Sequence, residues 1–203
     1  MRPDRSVHPR QLDALREVVS IGAGRAATNL SSLTGFRVMI SIPRMQWVEP
    51  SEQADLGFPP GDRLVMVTVR VLARHANPKE RASLILARET AARMVGLLLR
   101  RAPRADSEDF DHMEKSTLKE LGNIVCASYV GVLGTFLGHS VMIDTPELED
   151  GPRQEIARRT RSGLLIETDF HFSEASFEGV FVLSHAEISF QALLDALGLA
   201  DLS

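Results

Sequence analysis

The chain has 203 residues, of which 44% are hydrophobic and 25% are charged, and its formal net charge is −4. This length allows one sizeable core or two small ones, and the composition is that of an ordered globular protein. A net negative charge argues against nucleic-acid binding, because neutralising phosphates requires a basic surface.

Cysteine content and the N-terminal residues indicate the compartment. The single cysteine, Cys126, excludes an internal disulfide and a zinc site built from several cysteines, and it fits a reducing environment. No stretch approaches about eighteen uninterrupted apolar residues. Residues 1–10 contain charges and prolines but no apolar signal core, so we predict a flexible tail on a cytoplasmic protein.

The hydrophobic periodicity of the first half predicts five elements: a long helix over 11–34, strands over 36–48, 64–73 and 82–87, and a compact helix over 88–100. Gly35 is expected to end the long helix in a left-handed conformation. Pro43 marks an edge position or a bulge within the first strand. The prolines and glycines of residues 49–62 indicate a loop.

The second half repeats this order: a long helix that follows the acidic run 106–111 and ends before Gly138, strands over 140–145, 163–172 and 179–184, and a closing helix over 185–197. Residues 147–162 have no clear periodicity. We expect a mobile loop or a short extra helix there.

A polar stripe runs along the long helix of the second half. Ser116, Glu120 and Asn123 have the spacing i, i+4 and i+7, so they share one helix face. A separate, mostly apolar stripe faces the core and consists of Thr117, Leu121, Ile124, Val125, Ser128 and Val132. The helix therefore has one core face and one presenting face.

The polar stripe has a counterpart 103 residues earlier, at Asp13, Glu17 and Ser20, followed by Pro43. Over positions 13–43 and 116–146, nine of thirty-one residues are identical, where unrelated sequences would share about two. We call these segments the first copy and the second copy. They indicate a tandem duplication.

The duplication predicts one domain spanning 1–203, with repeats at about 11–100 and 109–198. Three strands bury little by themselves, so we expect the two halves to share a core about a pseudo-two-fold axis. The predicted fold class is α/β (α+β), with two helix–three-strand–helix halves, a joined sheet and two long helices that each expose one face. A monomer is expected, because one chain already supplies both halves.

The second copy resembles the CheC, CheX and FliY phosphatases of bacterial and archaeal chemotaxis, and is most similar to CheC. Their signature is Asp or Ser, three residues, Glu, two residues, Asn, and then twenty-two residues to a Pro. Ser116, Glu120, Asn123 and Pro146 match it without a gap, and the surrounding sequence LKELGNIVCASYVGVLG is also similar.

The resemblance implies hydrolysis of the aspartyl phosphate of the response regulator CheY. Asn123 would then orient the attacking water, and Glu120 would pair with a lysine of the partner. Ser116 and Pro146 would support the site by contact and by shape. The Mg²⁺ of the reaction would belong to the partner, so neither a cofactor nor a metal is expected in this chain.

The first copy departs from the signature. Asp13, Glu17 and Pro43 match, but Ser20 stands where asparagine is expected. A serine is too short to place the water and lacks the paired donor and acceptor of an amide. The first site is therefore predicted to be weak or inactive, and Asp13 and Glu17 could equally be solvated surface residues.

Other interpretations remain open or are set aside. The chain could bind phosphorylated CheY, or the receptor deamidase CheD, without turnover. A flagellar switch subunit is not favoured, since such relatives carry a further C-terminal domain. The VVSIGAGRAA sequence of residues 18–27 mimics a dinucleotide-binding turn, but a helical pattern precedes it, so Gly22 and Gly24 are expected to permit close helix packing.

Overall fold

The computed structural model describes residues 9–48, 55–73, 77–104, 109–138, 140–160 and 163–199. The elements of the first half are α1 (Pro9–Thr34), β1 (Val38–Ser41), β2 (Met45–Val48), β3 (Arg63–Leu72), β4 (Arg81–Ala87) and α2 (Arg88–Leu99). Those of the second half are α3 (His112–Phe136), β5 (Met142–Ile143), β6 (Glu147–Pro152), α4 (Arg153–Arg159), β7 (Gly163–Phe172), β8 (Ser176–Ser184) and α5 (Glu187–Ala196). The predicted tail lies mostly outside the described residues.

The predicted helices are confirmed, with small differences at their ends. The long helix α1 begins at Pro9, two residues before its predicted start. Gly35 and Gly138 follow the two long helices with φ of 71° and 70°, which is the left-handed conformation that glycine adopts without steric cost.

The number of strands differs from the prediction, because the described residues of each half form four strands rather than three. The expected strand over 36–48 is divided at Pro43, which has no N–H to donate to a sheet. Within 147–162 the short helix is confirmed as α4, but β6 was not expected. Its sequence, ELEDGP, is poor in the β-branched and aromatic residues typical of strands.

The strands form one antiparallel sheet in the order β1-β7-β8-β4-β3-β5, with β2 also pairing with β7 and β6 with β3. The short strands of each half pair with a long strand of the other half: β1 and β2 pair with β7, and β5 and β6 pair with β3. We call this arrangement the exchange of strands. At the centre, Leu84 pairs with Phe181 and Ile85 with Val180. The strand order is symmetric about the β4–β8 pair, as the expected pseudo-two-fold relation requires, and buried residues of both halves form one core.

The two long helices lie side by side on one face of this sheet and run antiparallel. Leu15, near the start of α1, and Leu133, near the end of α3, line the same small apolar cavity. Midway along, Gly22 lies against Tyr129, where an added Cβ would come within 2.7 Å of the ring. The helix pair therefore covers the main hydrophobic core.

Gly22 and Gly24 have different roles. The prediction that Gly22 permits close helix packing is confirmed, but it is wrong for Gly24, which is exposed and would have no atom within 4 Å of an added Cβ. Both lie inside α1, so the strand that a dinucleotide-binding turn requires is not there.

The opposite face of the sheet is partly covered. Ile156 and Ala157 of α4 pack with Leu56 against buried side chains of the long strands, including Leu64 and Leu165. Within the described ranges, every helix is too short or too polar to cross a bilayer.

Candidate functional site

A capping box fixes the start of α3. The Asp111 carboxylate accepts a hydrogen bond from the backbone N–H of Glu114 at 2.9 Å, and the Glu114 carboxylate accepts one from the N–H of Asp111 at 2.8 Å. The bond from the Glu114 N–H, followed by the bond from Arg101, holds the pKa of Asp111 below its usual range. The helix that carries the polar stripe thus has a defined first turn.

Arg101 links this first turn to the end of α2. Its guanidinium lies 2.8 Å from carboxylate oxygens of both Asp111 and Glu114. Its backbone N–H bonds to Gly96 O at 2.9 Å, and Arg100 between them has a left-handed φ of 54°. The sequence analysis missed this junction, although the Asp-x-x-Glu spacing at 111–114 is a capping-box signal.

The polar stripe lies on the exposed face of α3. Ser116 and Glu120 are exposed and Asn123 is half-buried. Within the described part of the chain, the side chains of Glu120 and Asn123 make no hydrogen bond or ion pair. By contrast, the Thr117 and Ser128 hydroxyls on the core side donate to helix carbonyls. The carboxylate and the amide of the stripe are therefore available to a partner.

The backbone beneath the stripe is pressed directly onto the sheet. Gly122 sits over Val67 of β3 so closely that an added Cβ would come within 2.4 Å of the valine side chain. Leu118, Leu121 and Val125 are fully buried around this contact. The helix therefore presents Glu120 and Asn123 from a rigid support.

Pro146 lies beside the contact between α3 and β3. It is half-buried and immediately precedes β6, in which Leu148 pairs across from Val67. The second copy thus brings the stripe and the proline to neighbouring elements of one sheet edge.

The first copy is at a separate place. Asp13, Glu17, Ser20 and Pro43 are all exposed, and the Ser20 hydroxyl donates to the carbonyl of Arg16 at 2.7 Å. Because α1 and α3 are antiparallel, Glu17 and Glu120 are separated by roughly 20 Å along the helix pair at about 1.5 Å per residue. The structure does not bring the two copies together into one site.

Cys126 takes no part in the polar stripe. It is fully buried, and burial raises the pKa of its thiol far above the usual range. Among the described residues there is no group of three or more His, Cys, Asp or Glu side chains placed to hold a metal ion.

The chain is similar in sequence to known proteins. A family model described as the CheC-like family matches residues 113–149, which contain the polar stripe and Pro146. CheC1 of Halobacterium salinarum is 24% identical over 176 residues, covering 83% of this chain and 87% of the relative. The CheY-P phosphatase CheC of Bacillus subtilis is 29% identical over 144 residues, covering 70% of this chain and 67% of the relative.

The fold is shared with a solved structure, the FliY of Thermotoga maritima. The TM-score is 0.74 at 18% identity, and the match covers 96% of this chain and 99% of that chain. The chain therefore has the same mixed α/β fold as this FliY. In sequence it is similar to the CheC-like family, and the resemblance predicted from the spaced motif is confirmed.

Proposed function

We propose that this chain is a phosphatase that hydrolyses the aspartyl phosphate of a phosphorylated chemotaxis response regulator of the CheY type. One observation carries the proposal: Glu120 and Asn123 stand about one turn apart on the exposed face of a rigid helix, without partners among the described residues. They also lie in the segment that the CheC-like family model matches. The Bacillus subtilis relative is named a CheY-P phosphatase.

Asn123 would orient the attacking water. An aspartyl phosphate is already activated, so the main requirement is a water held in line with the phosphorus–oxygen bond that breaks. A carboxamide offers a donor and an acceptor without charge, whereas a carboxylate would be repelled by the phosphoryl oxygens. Attack yields inorganic phosphate and a free aspartate on the regulator, with the Mg²⁺ held by the regulator.

Glu120 would fix the approach of the partner. Its carboxylate can pair with a lysine in the regulator's phosphorylation site, and Ser116, one turn earlier, can contact the same surface. Pro146 supports the strand that packs beside α3. The first copy contributes little to turnover, because the Ser20 hydroxyl already bonds to its own helix.

The proposal is tested by following loss of phosphate from phosphorylated CheY. We expect the protein to accelerate this loss, and Glu120→Ala to lower kcat/KM about ten-fold or more, which corresponds to about 1.4 kcal/mol. Glu17→Ala is the matched control at the equivalent exposed position and should retain nearly full activity.

An unchanged phosphate lifetime with wild-type protein would contradict hydrolysis. If a complex still formed, the same surface would act as a binding module for the phosphorylated regulator. If Glu17→Ala lowered kcat/KM as much as Glu120→Ala does, the assignment of the site to the second copy would be contradicted.

A further inference from the structure

Lysine is rare in this chain and is concentrated beside the polar stripe. The sequence contains twenty arginines but only three lysines, at positions 79, 115 and 119. Lys115 and Lys119 both lie on α3, within four residues of Ser116 or Asn123. A chain that uses arginine almost everywhere else thus places two of its three lysines at the candidate site.

The helical geometry puts these two cations on one flank of the stripe. At about 100° per residue, Lys119 lies roughly 40° from Asn123 around the helix, on the side away from Glu120. Lys115 is one turn earlier on the same flank. Lys115 is exposed and Lys119 is half-buried, so Asn123 stands between a cationic flank and a carboxylate.

Among the described residues, neither ammonium group has a neutralising partner. The side chains of Lys115 and Lys119 make no ion pair or hydrogen bond within the described ranges. Arg88, Arg101 and Arg153, by contrast, are paired with Asp or Glu carboxylates. Like charges four residues apart on a helix cost a few tenths of a kcal/mol, so this pair does not stabilise α3.

The carboxylates adjacent in sequence, Glu114 and Glu120, do not pair with these two lysines. Glu114 precedes Lys115 in sequence but is buried and bonded to Arg101. Glu120 follows Lys119 but lies roughly 100° further around the helix. Among the described residues, no carboxylate neutralises the cationic flank, Lys115 and Lys119, so this flank can meet an anionic partner.

We propose that Lys115 and Lys119 are specificity determinants that recognise the negative charge of the partner's phosphorylated carboxylate pocket. The inference rests on the proposed function for the identity of the partner. A phosphoryl group and its neighbouring carboxylates carry a negative charge that the pocket's Mg²⁺ and lysine offset only in part. A compact ammonium on a flexible stem meets the remaining charge as a point charge. Such cations raise the association rate and make binding depend on ionic strength.

The first copy lacks this complete flank. The positions equivalent to Lys115 and Lys119 are the half-buried Leu12 and the exposed Arg16. One of the two cations is thus replaced by an apolar side chain. The cationic flank distinguishes the second copy from the first, as Asn123 does.

The test measures binding of a CheY receiver domain that carries beryllofluoride and Mg²⁺ as a stable mimic of the phosphorylated state. We expect the double variant Lys115→Gln, Lys119→Gln to bind about ten-fold more weakly than wild type at low salt, with the difference shrinking as salt rises. Lys79→Gln, which removes the third lysine, is the control and should bind as wild type does. Lys119→Arg, which keeps the charge, should retain most of the affinity.

The inference is overturned if the double variant binds like wild type at every salt concentration, if Lys79→Gln loses as much affinity, or if wild type does not bind the loaded receiver. Because the mimic is not hydrolysed, this readout is independent of turnover. Wild-type protein that binds the loaded receiver but does not speed phosphate loss would contradict the proposed hydrolysis alone. Wild-type protein that dephosphorylates CheY while the double variant binds normally would contradict the lysine inference alone.

Discussion

The two copies differ in single side chains that occupy equivalent positions on the two long helices. Ser20 and Asn123 are equivalent in the duplication, but the Ser20 hydroxyl is already used by the Arg16 carbonyl. The Asn123 amide has no partner within the described residues, so both its donor and its acceptor are available to a water. The sequence could predict this difference, because a one-residue change at fixed spacing is visible without coordinates.

Glu80 is a residue that the sequence analysis did not single out. It is almost fully buried immediately before β4, and its carboxylate accepts a hydrogen bond from the Ser189 hydroxyl of α5 at 2.7 Å. Burial is the main cause that raises its pKa from 4.5 to about 7. No local sequence pattern could indicate this contact, because it joins residues 109 positions apart.

The raised pKa of Glu80 predicts a specific pH dependence of stability. The Glu80 carboxyl holds its proton more tightly in the folded state than in the unfolded state. Its stabilising contribution to the free energy of unfolding is therefore fully present below about pH 4.5 and is lost as the pH rises to about 7. Glu80→Gln should remove that loss and raise the free energy of unfolding at pH 8 by about 3 kcal/mol at most. Urea denaturation of wild type and of Glu80→Gln at pH 4.5 and pH 8 measures these free energies of unfolding. If the free energy of unfolding changed equally between the two pH values in both proteins, this prediction would be contradicted.

At the scale of elements, the long helices were the most predictable part of the chain and the short edge strands the least. Apolar periodicity over about 25 residues, with a glycine stop, leaves little ambiguity for α1 and α3. The two-residue strand β5 and the acidic strand β6 exist because β3 pairs with them. Strands that depend on a distant partner carry little local signal.

The contact between α3 and the sheet predicts opposite effects at two glycines. Gly122→Ala forces a methyl group into Val67 and should destabilise the protein by about 1–3 kcal/mol or more. Gly131→Ala is the matched control in the same helix, because no atom lies within 4 Å of its added Cβ. It should stabilise the protein by about 0.5–1 kcal/mol. The free energies of unfolding in urea test both, and equal effects at the two sites would contradict the packing described for α3.

For the whole molecule, the exchange of strands makes the two halves interdependent. The duplication was visible in the sequence, and it correctly predicted a shared core about a pseudo-two-fold axis. Which strands pair across the halves could not be predicted, because equivalent strands of the two halves are similar in composition. The pairing of β1 and β2 with β7, and of β5 and β6 with β3, is a property of the assembled sheet.

This exchange predicts that neither half folds alone. Fragments 1–104 and 105–203 each lose the strand partner of their short strands and half of the shared core. We expect each fragment to lack a cooperative unfolding transition by circular dichroism, and an equimolar mixture to regain one. Cooperative unfolding of either fragment by itself would show that the halves are autonomous.

The proposed hydrolysis depends above all on the Asn123 amide, which would position the attacking water. The most direct measurement is the rate of phosphate loss from CheY-P at saturating concentrations of this protein, comparing wild type with Asn123→Ala and with the control Ser20→Ala. We expect Asn123→Ala to lower this rate about 100-fold while its affinity for the regulator changes little, and Ser20→Ala to keep the wild-type rate. A folded Asn123→Ala variant that keeps the wild-type rate would show that the amide does not position the water.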